Sequence, residues 1–209
     1  MLIFTSYNEV ANKKERCKET FMEVNIFETS KKYNIIYADP PWSYKAWAGK
    51  GEEKKTAENH YQCMKKEDIQ NLPVQNIAAD DCVLMLWVTF PCLEEGLELI
   101  KKWGFTYKTC GFTWVKRNRK SDGYFWGLGH WTRANAEICL LATKGKPKRV
   151  SKSVHSVCDA RIREHSRKPD EIRTRIVQLC GDLPRIELFA RQNAEGWDSW
   201  GNETDKFND

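Results

Sequence analysis

Residues 35–42 read Ile-Ile-Tyr-Ala-Asp-Pro-Pro-Trp, an apolar run that stops at Asp39 and two prolines. A short apolar run closed by a turn signal is typical of a strand that is covered on both faces of an α/β sheet. Similar runs recur at 82–88, 138–142 and 186–190, and 107–116 is predicted as a further strand. The stretch 35–42 therefore predicts a polar turn at the end of a buried strand.

Two helical patterns separate these strands, at 91–103 and 168–180. In each, apolar side chains recur on one face, a proline stands near the start and a glycine follows the end. Apolar runs that alternate with helices predict an α/β fold, with a mostly parallel sheet and helices on both of its faces.

A length of 209 residues suits one domain with a sizeable core. We expect a single domain over 1–209, which includes a polar N-terminal extension at 1–30 and a C-terminal tail at 204–209. Long irregular loops are expected at 43–64, 119–132 and 145–166, and loops of this length in a compact domain usually have a function.

Composition excludes several classes of protein. With 41% hydrophobic and 30% charged residues, the chain has no apolar run near the roughly 20 residues of a membrane-spanning helix. Residues 1–32 are polar throughout, without the apolar core of a secretory signal. We therefore expect a cytoplasmic protein with no membrane partner, as a monomer or a homodimer. Its eight cysteines never form C-x-x-C, and reduced structural thiols are expected.

A metal site is not predicted. His155 and Cys158 are three residues apart and His165 follows them. A zinc site needs a fourth ligand at a suitable spacing, and the sequence offers none there.

Positive charge is concentrated in one part of the chain. The net charge is +5, but residues 116–175 contain 16 Lys and Arg against 6 Asp and Glu. Clustered cations of this kind are the electrostatic signature of a polyanion partner, most commonly the phosphates of nucleic acid, although a solvated face is the alternative. Within this block, Lys116, Lys146 and Lys148 are predicted to bind substrate phosphates.

The motif Asp39-Pro40-Pro41-Trp42 is the sharpest candidate for chemistry. It follows a predicted strand, and the carboxyl ends of strands are where α/β sheets bind ligands. The Asp39 carboxylate and a proline carbonyl can accept both N–H groups of an exocyclic amine, and Trp42 offers a flat face on which a base can stack. The alternative is a tight turn with a half-buried tryptophan.

Six ordered blocks extend this observation over residues 33–203. They are 37–42 (YADPPW), 84–89 (LMLWVT), 129–131 (GHW), 168–171 (KPDE), 186–191 (IELFAR) and 201–202 (GN). Together they resemble the D-P-P-W amino-methyltransferases, the family of the catalytic subunit of the eukaryotic mRNA N6-adenosine methyltransferase. The resemblance implies a Rossmann-like methyltransferase fold of permuted order, with the catalytic motif early and the cofactor motif late. It also implies methyl transfer from S-adenosylmethionine to the N6 amino group of adenine.

The resemblance assigns roles to individual residues. Asp39, Pro40, Pro41 and Trp42 correspond to the catalytic motif, and Tyr61 and Glu137 fall where the family contacts the target base. The implied cofactor contacts are Asp39, Lys168, Glu187, Phe189, Arg191, Asn193, Asn202 and Glu203. For Glu187, binding of ribose hydroxyls and exposure on a strand edge are equally weighted alternatives. Lys168 has a separate argument, because a cation at a helix N-terminus opposes the helix dipole and indicates a nearby anion.

This chain departs from the eukaryotic pattern after Arg191, where Asn193 is the candidate ribose contact, and at Glu203, where the mRNA enzyme has an amide. It also lacks the zinc-finger extension of that enzyme, which fits a stand-alone bacterial or phage-like member acting on DNA rather than RNA. The alternatives are an RNA N6-adenosine methyltransferase, a cytosine N4 methyltransferase, which usually has serine in place of Asp39, and a non-catalytic nucleic-acid-binding subunit.

Overall fold

The computed structural model describes residues 21–42, 64–129 and 131–207. Within these residues a single sheet contains seven strands, in the spatial order β5-β3-β4-β2-β1-β6-β7. The strands are β1 (Tyr33–Ala38), β2 (Ala78–Val88), β3 (Thr106–Arg117), β4 (Glu137–Lys144), β5 (Val157–Arg161), β6 (Arg185–Leu188) and β7 (Asp198–Trp200).

Strand β4 alone runs against its neighbours. It pairs antiparallel with both β2 and β3, whereas the other four pairings of the sheet are parallel. The prediction of a mostly parallel sheet is thus confirmed. Six strands end at one edge of the sheet, the carboxyl edge, where β4 begins. Asp39 follows the central strand β1 at this edge.

Helices cover both faces of the sheet, as predicted. They are α1 (Lys66–Gln70), α2 (Val74–Ile77), α3 (Leu93–Lys102), which follows a 3₁₀ turn at Phe90–Cys92, and α4 (Glu171–Cys180). On one face, Ile36 of β1 packs in a core with Leu99 and Ile100 of α3. On the other face, Ile35 packs with Ile172 and Ile176 of α4. Successive residues of β1 thus enter opposite cores, which explains why the run has no polar alternation.

Two short strands differ from the sequence-based expectation. The segment 145–166, expected to be an irregular loop, contains β5, and β7 was not predicted. Only Cys158 is buried among the five residues of β5, because this strand lies at the edge of the sheet and has one neighbour. An edge strand needs no apolar run, so the sequence signal is weak.

Parts of the expected N-terminal extension and C-terminal tail pack against the sheet. Val24 donates its backbone N–H to Ser199 of β7, and Ile26 is 1% exposed in the core. At the other end Thr204 is buried and its hydroxyl donates to Glu23. Parts of the expected extension and tail thus pack together beside β7. None of the helices described is long and apolar enough to cross a membrane.

Candidate active site

Four alternating charges line up behind the turn that follows β1. The Lys168 Nζ lies 2.6 Å from Asp39 Oδ2 and 3.3 Å from Glu137 Oε2. The Lys116 Nζ lies 2.5 Å from Glu137 Oε1. Asp39, Lys168, Glu137 and Lys116, which we call the charge chain, therefore join the ends of β1 and β3, the start of β4 and the segment before α4.

Within the charge chain, the pKa values of the two carboxyl groups shift in opposite directions. Burial raises the pKa of Asp39 above its ordinary value, and the Lys168 ammonium only partly opposes this effect. Burial acts on Glu137 in the same sense, but Lys168 and Lys116 together outweigh it and lower the pKa of Glu137 to about 2. Glu137 has two cations and Asp39 has one, so Asp39 is the carboxylate whose charge is less compensated.

Lys168 has its anions within the protein. Its position before a helix predicts an anion near Lys168, in the form of a cofactor carboxylate or a phosphate. In the structure Asp39 and Glu137 fulfil that role, and they outweigh the effect of burial to raise the pKa of Lys168. The Ser166 carbonyl accepts a further hydrogen bond from this ammonium at 3.3 Å. Lys168 thereby fixes the orientation of the Asp39 carboxylate.

The Asp-Pro-Pro-Trp turn is tighter than expected. The Pro40 carbonyl, a candidate acceptor for an exocyclic amine, already accepts the Trp42 backbone N–H at 2.8 Å. The Trp42 indole N–H donates to the Trp87 carbonyl at 2.8 Å, and the Trp42 side chain is buried. A carbonyl oxygen has a second lone pair, so Pro40 can accept one more hydrogen bond. The turn therefore holds its acceptors in a fixed position.

Two cavities meet at this turn. One, the Phe189 pocket, has a volume of about 270 Å³ and includes Phe189, Arg191, Asn202 and Glu203 in its wall. The other, the Trp42 pocket, has a volume of about 370 Å³ and includes Trp42, Glu137, Lys116 and Lys168. Both cavities share the same three residues, which are Asp39, Pro40 and Ser166. A ligand in either cavity would contact the Asp39 turn.

Backbone strain marks the wall of the Phe189 pocket. Ser166 and Phe189 have φ angles of 61° and 60°, and they are the non-glycine residues with positive φ in the described part of the chain. L-residues adopt this region at a cost of order 1–3 kcal/mol, and such residues cluster at functional sites. Both line the Phe189 pocket. Gly201 lies in the same wall, where a Cβ would be 2.4 Å from the Ala190 carbonyl oxygen.

The Phe189 pocket suits the chemistry of S-adenosylmethionine. The rings of Phe189 and Trp200 meet edge to face, with centroids 5.4 Å apart, and provide an apolar wall for a purine. Asn202, Arg191 and Glu203 bring amide, cationic and anionic groups into the same cavity, and these are the types of group that could pair with the polar parts of such a cofactor. The Arg191 Nε lies 3.0 Å from Glu203 Oε2, which orients both side chains.

For Glu187, the structure excludes one of the two predicted alternatives, exposure on a strand edge. Its side chain does not face solvent, because the residue is 7% exposed. The Arg173 guanidinium donates two hydrogen bonds to its carboxylate, at 2.6 and 3.0 Å. Burial raises the pKa of Glu187 despite this pairing. Glu187 and Phe189 both line a narrow cleft that reaches Asp39 and Lys168, so Glu187 lies behind the Phe189 pocket.

Three predicted residues lie elsewhere. Asn193 accepts a hydrogen bond from the Ser199 hydroxyl and lines a separate depression beside α4. Lys146 and Lys148 follow β4, whose last residue pairs with Cys82 near the start of β2. Six residues of β2, about 20 Å, separate that position from the carboxyl edge. Strand β4 thus carries Lys146 and Lys148 to the edge of the sheet opposite Asp39, where the phosphates that they are predicted to bind would lie.

Tyr61 and most of the predicted loop at 43–64 lie outside the described residues.

Among residues 21–42, 64–129 and 131–207, no group of three His, Cys, Asp or Glu side chains could hold a metal ion. The Cys158 thiol instead donates to Glu171 at 3.0 Å, and burial raises its pKa to about 12.

Ser166 and Phe207 line the site but were not predicted from the sequence. The Phe207 ring lies between two guanidinium groups, 4.9 Å from that of Arg167 and 4.6 Å from that of Arg191. Its backbone N–H donates to the Arg191 carbonyl at 3.1 Å. Phe207 fell in the expected tail, and no local pattern connects it with Arg191. Ser166 carried no signal either, since its positive φ appears only in the fold.

Comparisons with known proteins find one family model and several similar sequences. The family model described as MT-A70 matches residues 33–203. The Type II methyltransferase M.MunI of Mycoplasma sp is 33% identical over 222 residues, which cover 96% of this chain and 89% of that protein. The N(6)-adenosine-methyltransferase catalytic subunit METTL3 of Homo sapiens is 30% identical over 195 residues, which cover 90% of this chain and 30% of that protein.

A plant relative has similar coverage. The N(6)-adenosine-methyltransferase MT-A70-like protein of Arabidopsis thaliana is 33% identical over 175 residues, 82% of this chain and 24% of that protein. The chain thus spans most of the Mycoplasma relative and less than a third of the two eukaryotic relatives. The matched family region contains the Asp39 turn, the charge chain and all the residues that line the Phe189 pocket.

Proposed function

This chain belongs to the MT-A70 family, and from that premise we propose that it transfers a methyl group from S-adenosylmethionine to the N6 amino group of adenine in nucleic acid, with DNA as the preferred substrate. One observation carries the proposal. Two cavities, one suited to the cofactor and one to a flat base, share the Asp39 turn. A reaction between their occupants would therefore take place at Asp39.

The proposed roles follow from the acceptors of the turn. Lys168 holds Asp39 Oδ2, which leaves Oδ1 to accept one N–H of the adenine amino group. The second lone pair of the Pro40 carbonyl accepts the other N–H. When both protons are held, the nitrogen lone pair is less delocalised into the ring and points toward the neighbouring cavity. Bound S-adenosylmethionine supplies an electrophilic methyl group there.

No side chain needs to act as a strong base. The amino nitrogen gains positive charge as it is methylated, which makes its proton acidic enough to be lost to solvent, and the Asp39 carboxylate lies beside that charge. Asp39 therefore contributes through orientation and through electrostatic stabilisation of the developing cation. Glu137, held by Lys168 and Lys116, lies in the Trp42 pocket as a second contact for the base.

DNA is proposed as the substrate because this chain is similar to M.MunI over most of that protein's length. RNA is the second candidate, because the relatives named N(6)-adenosine-methyltransferase match over most of this chain. Incubation with methyl-labelled S-adenosylmethionine and matched DNA and RNA oligonucleotides, followed by digestion to nucleosides, distinguishes the two. We expect labelled N6-methyldeoxyadenosine. Label in N6-methyladenosine only would reassign the substrate, and label in N4-methylcytosine would refute the adenine assignment.

A further inference from the structure

The connection between β3 and β4 exposes large aromatic side chains at the carboxyl edge of the sheet. We call residues 118–135 the aromatic loop; His130 lies outside the described residues. Tyr124 is 44% exposed and Trp126 is 60% exposed. Between them, Phe125 points the other way and lines the Trp42 pocket. The loop therefore presents aromatic rings both inside the proposed base pocket and on the surface next to it.

Backbone hydrogen bonds hold this loop in place. The Asn135 side-chain amide donates to the Lys116 and Phe125 carbonyls, at 2.9 and 2.5 Å, and accepts the Lys116 N–H at 3.0 Å. Phe125 donates its own N–H to the Lys116 carbonyl at 2.9 Å, and Gly127 donates to Ala134 at 2.6 Å. The exposed rings thus stand on an ordered backbone that is tied to the charge chain through Lys116.

The two exposed rings are oriented relative to each other. Tyr124 and Trp126 meet edge to face, with centroids 6.3 Å apart. The Arg117 guanidinium lies 4.4 Å from the Tyr124 ring centroid, and Asp159 holds that guanidinium with two hydrogen bonds of 2.6 Å. Tyr124 is therefore supported by Arg117, and Trp126 packs against Tyr124 with most of its own surface in solvent.

Charge around the rings identifies the kind of partner. Residues 116–135 contain five Lys and Arg and one Asp, and that residue, Asp122, pairs with Arg161. Within the described part of the chain, the exposed side chains of Lys120 and Arg133 have no ion-pair partner. Exposed aromatic rings among cations match single-stranded nucleic acid, whose bases stack on such rings while its phosphates contact the cations.

We propose that Tyr124 and Trp126 form a stacking surface for the unpaired bases next to the target adenine, so that the protein acts faster on an adenine in an opened or mismatched strand than in a perfect duplex. The inference rests on the proposed function. An adenine must leave its stack to reach Asp39, and this costs least where the base is unpaired. A surface that receives neighbouring bases would offset part of that cost.

The test combines binding and turnover. Affinities for a single-stranded oligonucleotide, a duplex with a mismatched adenine and the perfect duplex are measured by fluorescence anisotropy, for the parent and for Tyr124→Ala/Trp126→Ala. We expect the variant to lose affinity for the single strand and for the mismatched duplex by roughly tenfold or more, as stacked bases typically contribute that much. Affinity for the perfect duplex should change less, and S-adenosylmethionine affinity should stay constant.

Two controls make the result specific. Tyr124→Phe/Trp126→Phe keeps both rings and should retain single-strand affinity. Lys101→Ala/Lys102→Ala removes two exposed cations in the last turn of α3 and should behave as the parent does. Methyl transfer by the parent should be faster on the mismatched than on the perfect duplex, and the alanine variant should reduce that ratio.

Equal affinity of parent and alanine variant for the single strand would overturn the inference, and so would equal parent rates on paired and unpaired adenine. Analytical ultracentrifugation tests the alternative that a second copy of the protein packs on these rings. If the parent is a dimer and the alanine substitutions dissociate it without changing nucleic-acid affinity, the rings form a dimer interface instead. Failure of the proposed function looks different, because the parent would then bind oligonucleotides without methylating any of them.

Discussion

At the scale of single residues, Asp39 and Glu137 are two carboxylates that share one lysine and have opposite pKa shifts. Glu137 is paired on both oxygens, by Lys116 and Lys168. Asp39 is paired on one oxygen and faces both cavities. Glu137 therefore holds the two lysines in place, whereas Asp39 keeps one oxygen that can accept a hydrogen bond from a ligand.

Replacement of Glu137 by Gln should destabilise the fold in a pH-dependent way. The pKa of Glu137 is about 2 in the fold and 4.5 ordinarily, so its stabilising contribution is complete above pH 4.5 and is lost as the pH falls toward 2. At pH 7 the variant leaves two lysines with less compensation, which costs roughly 3 kcal/mol. Urea unfolding of parent and variant between pH 7 and pH 3 measures the difference. A difference that stays constant over this range would contradict the assigned pKa.

Phe207 should contribute to cofactor affinity although it precedes the end of the chain by two residues. Phe207→Ala removes the ring that packs between Arg167 and Arg191. Cation–π contacts are worth about 0.5–2 kcal/mol, so Arg191 loses orientation and we expect S-adenosylmethionine to bind about three- to tenfold more weakly. Calorimetric titration measures the affinity, with Phe207→Tyr as the matched control. An alanine variant that binds the cofactor as the parent does would remove Phe207 from the site.

At the scale of secondary-structure elements, the direction of the strands places the cations of residues 116–175 at two opposite edges of the sheet. The sequence shows one run of cations over 116–175, but β4 carries 144–152 to the edge opposite Asp39, whereas the ends of β3 and β5 return to the carboxyl edge. Several arginines of the block also pair internally, for example Arg173 with Glu187. Only part of the charge is therefore available to phosphates near the site.

This division predicts different effects for two sets of cations. Replacement of Lys120 and Arg133 by alanine should weaken oligonucleotide binding similarly for all sequences and lower the slope of log affinity against log salt by about one to two units, because each phosphate contact releases about one counterion. Lys146→Ala/Lys148→Ala should leave both quantities unchanged. Affinity measured from low to moderate salt tests this. The opposite pattern would mean that the substrate approaches the other edge.

The elements that were predicted from sequence are those with strong local signals. The run before Asp39 is continuously apolar and ends at two prolines, whereas the helices at 91–103 and 168–180 combine a periodic apolar pattern with proline near the start and glycine after the end. The structure confirms all three. Strand β5 has one buried residue and β7 has three residues in all, so neither carries a pattern long enough to recognise.

At the scale of the whole molecule, the family and the α/β architecture followed from the order of six motifs, and both are confirmed. The contacts of the site did not follow, because its wall joins segments that are far apart in the chain. Lys168 lies 129 residues from Asp39, with which it pairs. Only the folded sheet brings Ser166, Phe207 and the Asp39 turn together, and no local pattern encodes such a meeting.

The central claim is that Asp39 aligns an adenine amino group between the two cavities. The most direct measurement is the single-turnover rate of methyl transfer by Asp39→Ala, at a concentration of S-adenosylmethionine that saturates both proteins, with Asp182→Ala as an exposed-carboxylate control. We expect the rate to fall about 100-fold or more, since loss of alignment at a reacting centre has effects of this size. A rate within a few-fold of the parent, with cofactor affinity unchanged, would contradict the claim.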